Sequence, residues 1–534
     1  MLRCSDPFAT PKPSKLGSPS TRRYFRAGRR KRGGTAYCES ERHFCRVSRV
    51  FAMIPIRPRT ASPAVLLPLF SSTPLRVFAV LLSVLAAVPL HASVFDPGMI
   101  LDPRFDGDGV QFYQHPYTNE GSADRPIANC PAGNGQIVVS RAGANTLLFR
   151  RLRFDGSADG PIIARSVAQY VFGSSNGHED VALCRPDGSL LLAMSITEPA
   201  AGMTRLLLMA IGADGGLIPD TFAPGIQGVV SLDLTDLSDR IKIPRSFNRT
   251  PDGGALLVGS ADTPEGWRPF LAHFAGQTAQ YVGASYFMPA GLSGSIHATA
   301  AGVGPGGGIW VVGHGQAHGQ DHTAFRAYLN PDDLSLAHTE LFSLPGEDLR
   351  TFGGGMVREG VMAVGATRRA SGHPGQPLLL VLRAGGVFTA LDLPAPSPLM
   401  GGWVTGISHE SVGPVLPQRG NRVLYAATAE SFDGTAFQGY HGWYFARAVL
   451  GESPAQDHID PAFGDEGQTV LSVQSRDSSC GEYPNRQHHA RLGLWQGRPS
   501  VLGSIHRHCN PDSEEDLVLL RLRSADTLFD DGFE

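Results

Sequence analysis

The sequence predicts an all-β fold, a seven-bladed β-propeller of four-stranded antiparallel blades, and three observations carry that expectation. A short apolar strand, in most copies led by glycine, recurs seven times, at starts about 60 residues apart. Each copy stands second in a run of up to four apolar stretches separated by turn residues, which is the pattern of one propeller blade. Gly and Pro number 64 and 40 of 534 residues, a density that excludes a coiled coil or helix bundle, while 42% hydrophobic content excludes a wholly disordered chain.

From the N-terminus, residues 1–52 hold 13 Lys or Arg against 3 acids. Met53 then opens a segment with Arg57, Arg59 and Arg76, the apolar run Val77 to Val88, and the small-residue end Ala92-Ser93. Those are the n-region, h-region and cleavage end of a secretory signal, too short to span a bilayer comfortably. Residues 1–52 are therefore read as lying outside the native product, 53–92 as a signal peptide, and 93–534 as the propeller. Beyond residue 93, 30 basic residues face 46 acidic ones, a net −16. So acidic a body repels phosphate backbones, and no nucleic-acid partner is expected. Lys242 is the only lysine after residue 31, which leaves little room for lysine chemistry.

The recurring second strands start at Gly135, Gly188, Gly253, Gly307, Glu359, Asn421 and Gly497. Asp-Gly or Gly-Gly steps such as Asp187-Gly188 precede several of them and read as hairpin turns. Third strands follow at Leu147–Arg153, Arg205–Ile211, Phe270–Phe274, Phe325–Tyr328, Leu378–Arg383, Trp443–Ala448 and Leu517–Leu522. Fourth strands follow most of them, for example Ile163 to Tyr170, Val229 to Leu234 and Gln468 to Val473. The seventh unit stops after three strands, and Val110–Tyr113 precedes the first hairpin without a partner. Pairing 110–113 with 516–523 is expected to close the ring and remove two exposed sheet edges.

Leu101-Asp-Pro-Arg-Phe-Asp-Gly-Asp-Gly109 and Ile459-Asp-Pro-Ala-Phe-Gly-Asp-Glu-Gly467 resemble the Leu-Asp-Pro-x-Phe-Gly-x-x-Gly motif of the delta-60 repeat proteins. Ile218–Phe222 and Asp526–Gly532 are degraded copies. The resemblance implies an exported bacterial protein, periplasmic, extracellular or on the cell surface, with a propeller-like fold, and brings no catalytic residue with it. Units between about 243 and 450 lack the motif, so blade boundaries there are left open.

An exported chain keeps Cys130, Cys184, Cys480 and Cys509, an even number that favours disulfides over a metal site. Meander topology puts Cys480 and Cys509 on one face and makes them the preferred pair. Cys130 and Cys184, at matching first-strand positions of adjacent units, are the weaker pair. Gly173 to Gly177 has nucleophile-elbow spacing but no helix follows it. Asp102, Asp106 and Asp108 offer oxygen ligands of the kind calcium takes, though they coincide with the repeat's own turn. His314, His318 and His322 with Asp321 fall in one loop and suit a transition metal, against the plainer reading of a solvated loop. His178, Glu179, Asp180, His506 and His508 belong to loops on that same face and are the candidate ligand face. The expectation is an exported, monomeric, non-enzymatic binding or scaffold surface for protein or glycan, with no cofactor. The alternative is a propeller enzyme, a lyase, hydrolase or sugar oxidoreductase, with its site at the channel mouth.

Overall fold

The computed structural model describes residues 2–3, 101–113, 125–142, 145–166, 171–172, 180–198, 203–232, 242–317, 321–370, 373, 375–396, 404–408, 415–432, 437–471, 486–495, 498–506 and 515–523. These residues form seven antiparallel sheets. The calls on the basic tract and the signal segment lie outside them apart from Leu2–Arg3, which pairs with Val229–Leu232 on the outer edge of the second sheet. No helix among the described residues is long and apolar enough to cross a membrane.

The third, fourth and fifth blades have the plain meander of four strands. They run Lys242–Arg249 to Gln280–Tyr286, Ser293–Val303 to Leu336–Phe342, and Asp348–Arg358 to Val387–Asp392. This places the boundaries that the sequence left open. The first blade runs from Arg125–Ala132 to Ile163–Ser166 in the same order. In the second and sixth blades the first strand is split, into Val171–Phe172 with Val181–Cys184 and into Val404–Ser408 with Leu416–Pro417. The seventh sheet takes Arg486–Trp495, Arg498–His506 and Glu515–Arg521, with Val110–Tyr113 antiparallel to the last of these, Val110 opposite Leu520 and Tyr113 opposite Leu517.

First strands of neighbouring blades touch all the way round, so they are the innermost strands and surround the central channel. Middle strands are covered by a blade on either side and are apolar on both faces. Leu190 to Met194 and Leu378 to Leu382 are completely buried. Outer strands have one open face, and Gln280–Tyr286 is only half buried. Seven apolar clusters fill the seven gaps between sheets. Phe105, Val138, Leu152, Leu502 and Leu519 fill the one between the seventh and first blades.

A repeated irregularity shapes the inner wall. Inner strands bulge at matching heights, between Pro126 and Ala128, Pro244 and Ser246, Ala298 and Ala300, Thr351 and Gly353, and His488 and Ala490. The bulge brings the inner backbone against the second strand, where the repeat ends in glycine. A Cβ on Gly259 would lie 2.0 Å from the Ile243 carbonyl oxygen, and one on Gly313 would lie 1.9 Å from that of His297. Bulges re-aim side chains, and Arg245 is the residue bulged out of the third blade's inner strand.

The Asp-Pro-x-Phe motif connects third and fourth strands and binds buried arginines. Asp102 Oδ2 accepts from Arg498 Nη1 at 2.5 Å, and Phe105 lies 4.4 Å from the guanidinium of Arg521. Arg521 is fully buried and also faces Phe154 and Trp495. In the sixth blade Asp460 accepts from Arg447 Nε at 2.8 Å, and Arg447 lies 4.8 Å from Phe463. Burying these cations demands both a carboxylate and aromatic faces, and the motif supplies the two at a fixed spacing. Asp102 is 1% exposed and is engaged by arginine.

Cys130 and Cys184 form a disulfide, their Cα atoms 5.3 Å apart. Equivalent inner-strand positions of adjacent blades converge on the channel, which brings this pair together. Cys480 and Cys509 lie outside the described residues.

Candidate functional site

The start of each first strand and the hairpin between second and third strands emerge at the same end of a meander. At that end the channel mouth collects charge from six blades. The first blade gives Arg125 and Arg141, directly opposite each other in register. The second gives Asp180, the third Arg245, the fourth His297, His314 and His322, the fifth Asp348 and Arg350, and the seventh Arg491. Among the described residues named here, five arginines stand against two carboxylates, on a body whose overall charge is strongly negative.

Asp180 is buried and pinned from two sides. Arg141 Nη1 lies 3.5 Å from its Oδ2, and Arg491 Nη2 donates across the first blade to its backbone oxygen at 3.1 Å. Burial pushes the Asp180 carboxyl up, against the pull of Arg141, Arg491 and Arg125. Burial likewise brings Arg491 down to about 10, with Asp180 supporting its charge and Arg245 opposing it.

The opposite side of the mouth is a row of rings. Trp267 lies 5.9 Å from His297, His297 is 5.4 Å from His314, and His314 is 5.5 Å from His322. The Nδ1 of His314 accepts the Thr351 backbone N–H at 3.2 Å, which assigns its proton to Nε2. Burial, then the charges of Arg245, His322 and Arg350, brings His297 down to about 3. His314 is lowered well below its usual value by burial and the same neighbours together with His297. Both are neutral at physiological pH.

His322 differs from them. Its Nδ1 is 2.6 Å from Asp348 Oδ1, and its backbone N–H donates to the same oxygen at 2.8 Å. Arg350 Nε donates to Asp348 Oδ2 at 2.7 Å. Burial works to raise the Asp348 carboxyl, but these hydrogen bonds from His322 and the charge of Arg350 hold it well below the usual carboxylate range. An ionised Asp348 accepts from His322 Nδ1 and so fixes the orientation of the imidazole.

Of the residues singled out from the sequence, His314 and His322 are brought ring to ring, and Asp180 is at the mouth but across from them. Asp321 is exposed beside His322. His506 ends the strand Arg498–His506, while His178, Glu179, His318 and His508 lie outside the described residues. Among the described residues no three His, Cys, Asp or Glu are grouped to hold a metal ion. Sequence reasoning missed Arg245, His297, Asp348, Arg350 and Arg491. The repeat glycines Gly259 and Gly313 were the available signal for the first two, since a glycine within a strand marks a bulge opposite.

The chain matches no family model and no curated protein. Solved structures it resembles include the polysaccharide lyase Uly1, 11% identical with a TM-score of 0.43 over 78% of this chain and 92% of that one. A PL25 ulvan lyase is 9% identical with a TM-score of 0.41 over 75% and 95%. The Trypanosoma rangeli sialidase is 10% identical with a TM-score of 0.40 over 70% and 58%, so the chain spans little more than half of that protein. At these identities the likeness is one of fold alone.

Proposed function

We propose that the chain is an exported, monomeric propeller of the delta-60 repeat kind whose channel mouth binds an acidic glycan. The observation that carries the reading is the arc of Arg125, Arg141, Arg245, Arg350 and Arg491 around one channel end of an otherwise acidic protein. Walls of low dielectric focus such a field, and guanidinium groups pair with carboxylate or sulfate in a two-point manner. The Cys130–Cys184 bridge supports export, since disulfides persist in oxidising compartments. Calorimetric titration with polygalacturonate and with its fully methyl-esterified form tests the reading. The charged polymer is expected to bind, with an affinity that falls as salt rises, and the esterified form is not. Equal binding of both refutes the reading.

A second reading, catalysis at the same mouth, is favoured by one observation: Asp348 orients the imidazole of His322 through Nδ1, as the partner of a general acid or base does. Polygalacturonate that stays full length during prolonged incubation with the protein supports binding alone. Chain shortening that His322→Phe abolishes supports the enzyme.

A further inference from the structure

We propose that Trp267 is an aromatic platform at the channel mouth, between the third and fourth blades, on which a pyranose ring of the acidic glycan stacks. The proposal rests on the reading of the mouth as an acidic-glycan site and names the residue that tells a sugar polymer from any other polyanion. Among the described residues three other tryptophans are structural: Trp310, Trp443 and Trp495 are 4%, 0% and 2% exposed. Trp267 keeps solvent-facing surface, so core packing does not account for an indole at this position.

The platform stands on a clamped hairpin. Ala255–Thr263 and Gly266–Ala275 are joined by the two-residue turn Pro264-Glu265, and Trp267 is the second residue of the returning strand, opposite Asp262. Thr263 Oγ1 donates to the Gly266 carbonyl oxygen at 2.7 Å, and the Glu265 N–H donates to Thr263 Oγ1 at 3.2 Å. Arg268 donates to the Glu265 oxygen at 2.9 Å and, across the blade boundary, to the Gly294 oxygen at 2.8 Å. The indole leans on the imidazole of His297, 5.9 Å between centroids, and Nδ1 of that ring lies 3.0 Å from Ser260 Oγ in the third blade. An aromatic held in this way loses little freedom when a ligand lands on it.

The surroundings name the ligand. Arg245 bulges from the inner strand of the same blade. Burial first, and then the charge of Arg245, lower the proton affinity of His297, with Arg350 acting in the same sense. The platform and two guanidinium groups therefore share one stretch of the mouth. A ligand that uses both needs a flat face of C–H groups beside a negative group, since the π-face attracts polarised C–H by dispersion and by its quadrupole. A pyranose ring of an acidic glycan offers the two together, whereas an acidic peptide chain offers charge alone.

Polygalacturonate and poly-L-glutamate of matched length separate stacking from charge in calorimetric titration of the full chain. Trp267→Leu is expected to weaken polygalacturonate about tenfold, as removal of an aromatic anchor does, and to leave polyglutamate within about twofold of the wild type. Arg245→Gln is expected to weaken both. Should Trp267→Leu not fold, the conservative Trp267→Phe serves through tryptophan emission. The emission change that polygalacturonate causes in the wild type is expected to be absent from that variant. A proportional loss on both polymers, or an emission change that persists in Trp267→Phe, overturns the proposal. If neither polymer binds the wild type, the reading of the mouth falls and the proposal with it. If both bind and Trp267→Leu leaves both affinities intact, the proposal alone falls.

Discussion

Truncating Asp102 tests whether the Asp-Pro-x-Phe motif is a structural clamp for arginine. Asp102 is 1% exposed, and its Oδ2 faces Arg498, itself 7% exposed. Asp102→Ala leaves that guanidinium buried without its carboxylate, a loss of about 3–5 kcal/mol. Unfolding entropy of ~2.1 cal/mol/K per residue, over roughly 430 residues from Leu101 onward, gives ~0.9 kcal/mol/K. Tm should therefore fall by about 3–6 °C, measured by differential scanning calorimetry. Arg498→Met combined with Asp102→Ala should cost less than the sum of the two single changes, because the double variant has no stranded charge. Adding a calcium chelator to the wild type should leave Tm unchanged. A fall below about 1 °C in Asp102→Ala, or a chelator effect as large as the substitution, refutes the clamp.

Acid should destabilise the ring through His297. Its folded value of about 3 lies below the unfolded 6.5, so the unfolded chain takes up the proton first and stability is lost as pH falls from about 6.5 towards 3. The loss is about 3 kcal/mol by pH 4.5, and His314 adds to it with the same sign. Asp348, also lowered, acts only below the ordinary carboxylate range. Urea denaturation at several pH values should show a shallower dependence in His297→Gln, and parallel curves contradict the assignment. Replacing Cys130 and Cys184 with alanine opens a loop whose ends are 54 residues apart and should cost about 4 kcal/mol by the chain-entropy relation, seen as a lower urea midpoint. Gly313→Ala, whose Cβ meets the His297 carbonyl oxygen at 1.9 Å, should cost about 3 kcal/mol or abolish soluble expression. Gly308→Ala, with nothing within 4 Å, should stay within about 0.5 kcal/mol in the same denaturation assay.

Much of the fold was legible because a propeller repeats its physics. Middle strands such as Leu190 to Met194 are covered on both faces, so they read as unbroken apolar runs, and the turns between them demand glycine. The sixth blade was harder, because its inner strand is split into Val404–Ser408 and Leu416–Pro417 and no single run marks it. The motif's role was hidden for another reason. Asp102 and Arg498 lie 396 positions apart and meet only when the last sheet takes up Val110–Tyr113. The mouth was half legible. His314 and His322 stand close in sequence, and strand pairing keeps them close in space, His314 opposite Ala324 and Gln316 opposite His322. Arg245, Arg350 and Arg491 belong to three separate blades and converge only through ring geometry. One arginine per inner strand looks like any surface charge until the ring exists. The Cys130–Cys184 bridge was legible from matching first-strand positions, which the inner strands of adjacent blades bring together.

The most direct test of the central claim is a structure of the protein with a short oligogalacturonate bound. The account predicts the sugar at the channel mouth, with its carboxylates against the arginines gathered there, Arg350 among them. Density for the oligosaccharide on the outer strands, or at the opposite end of the channel with the mouth empty, contradicts it.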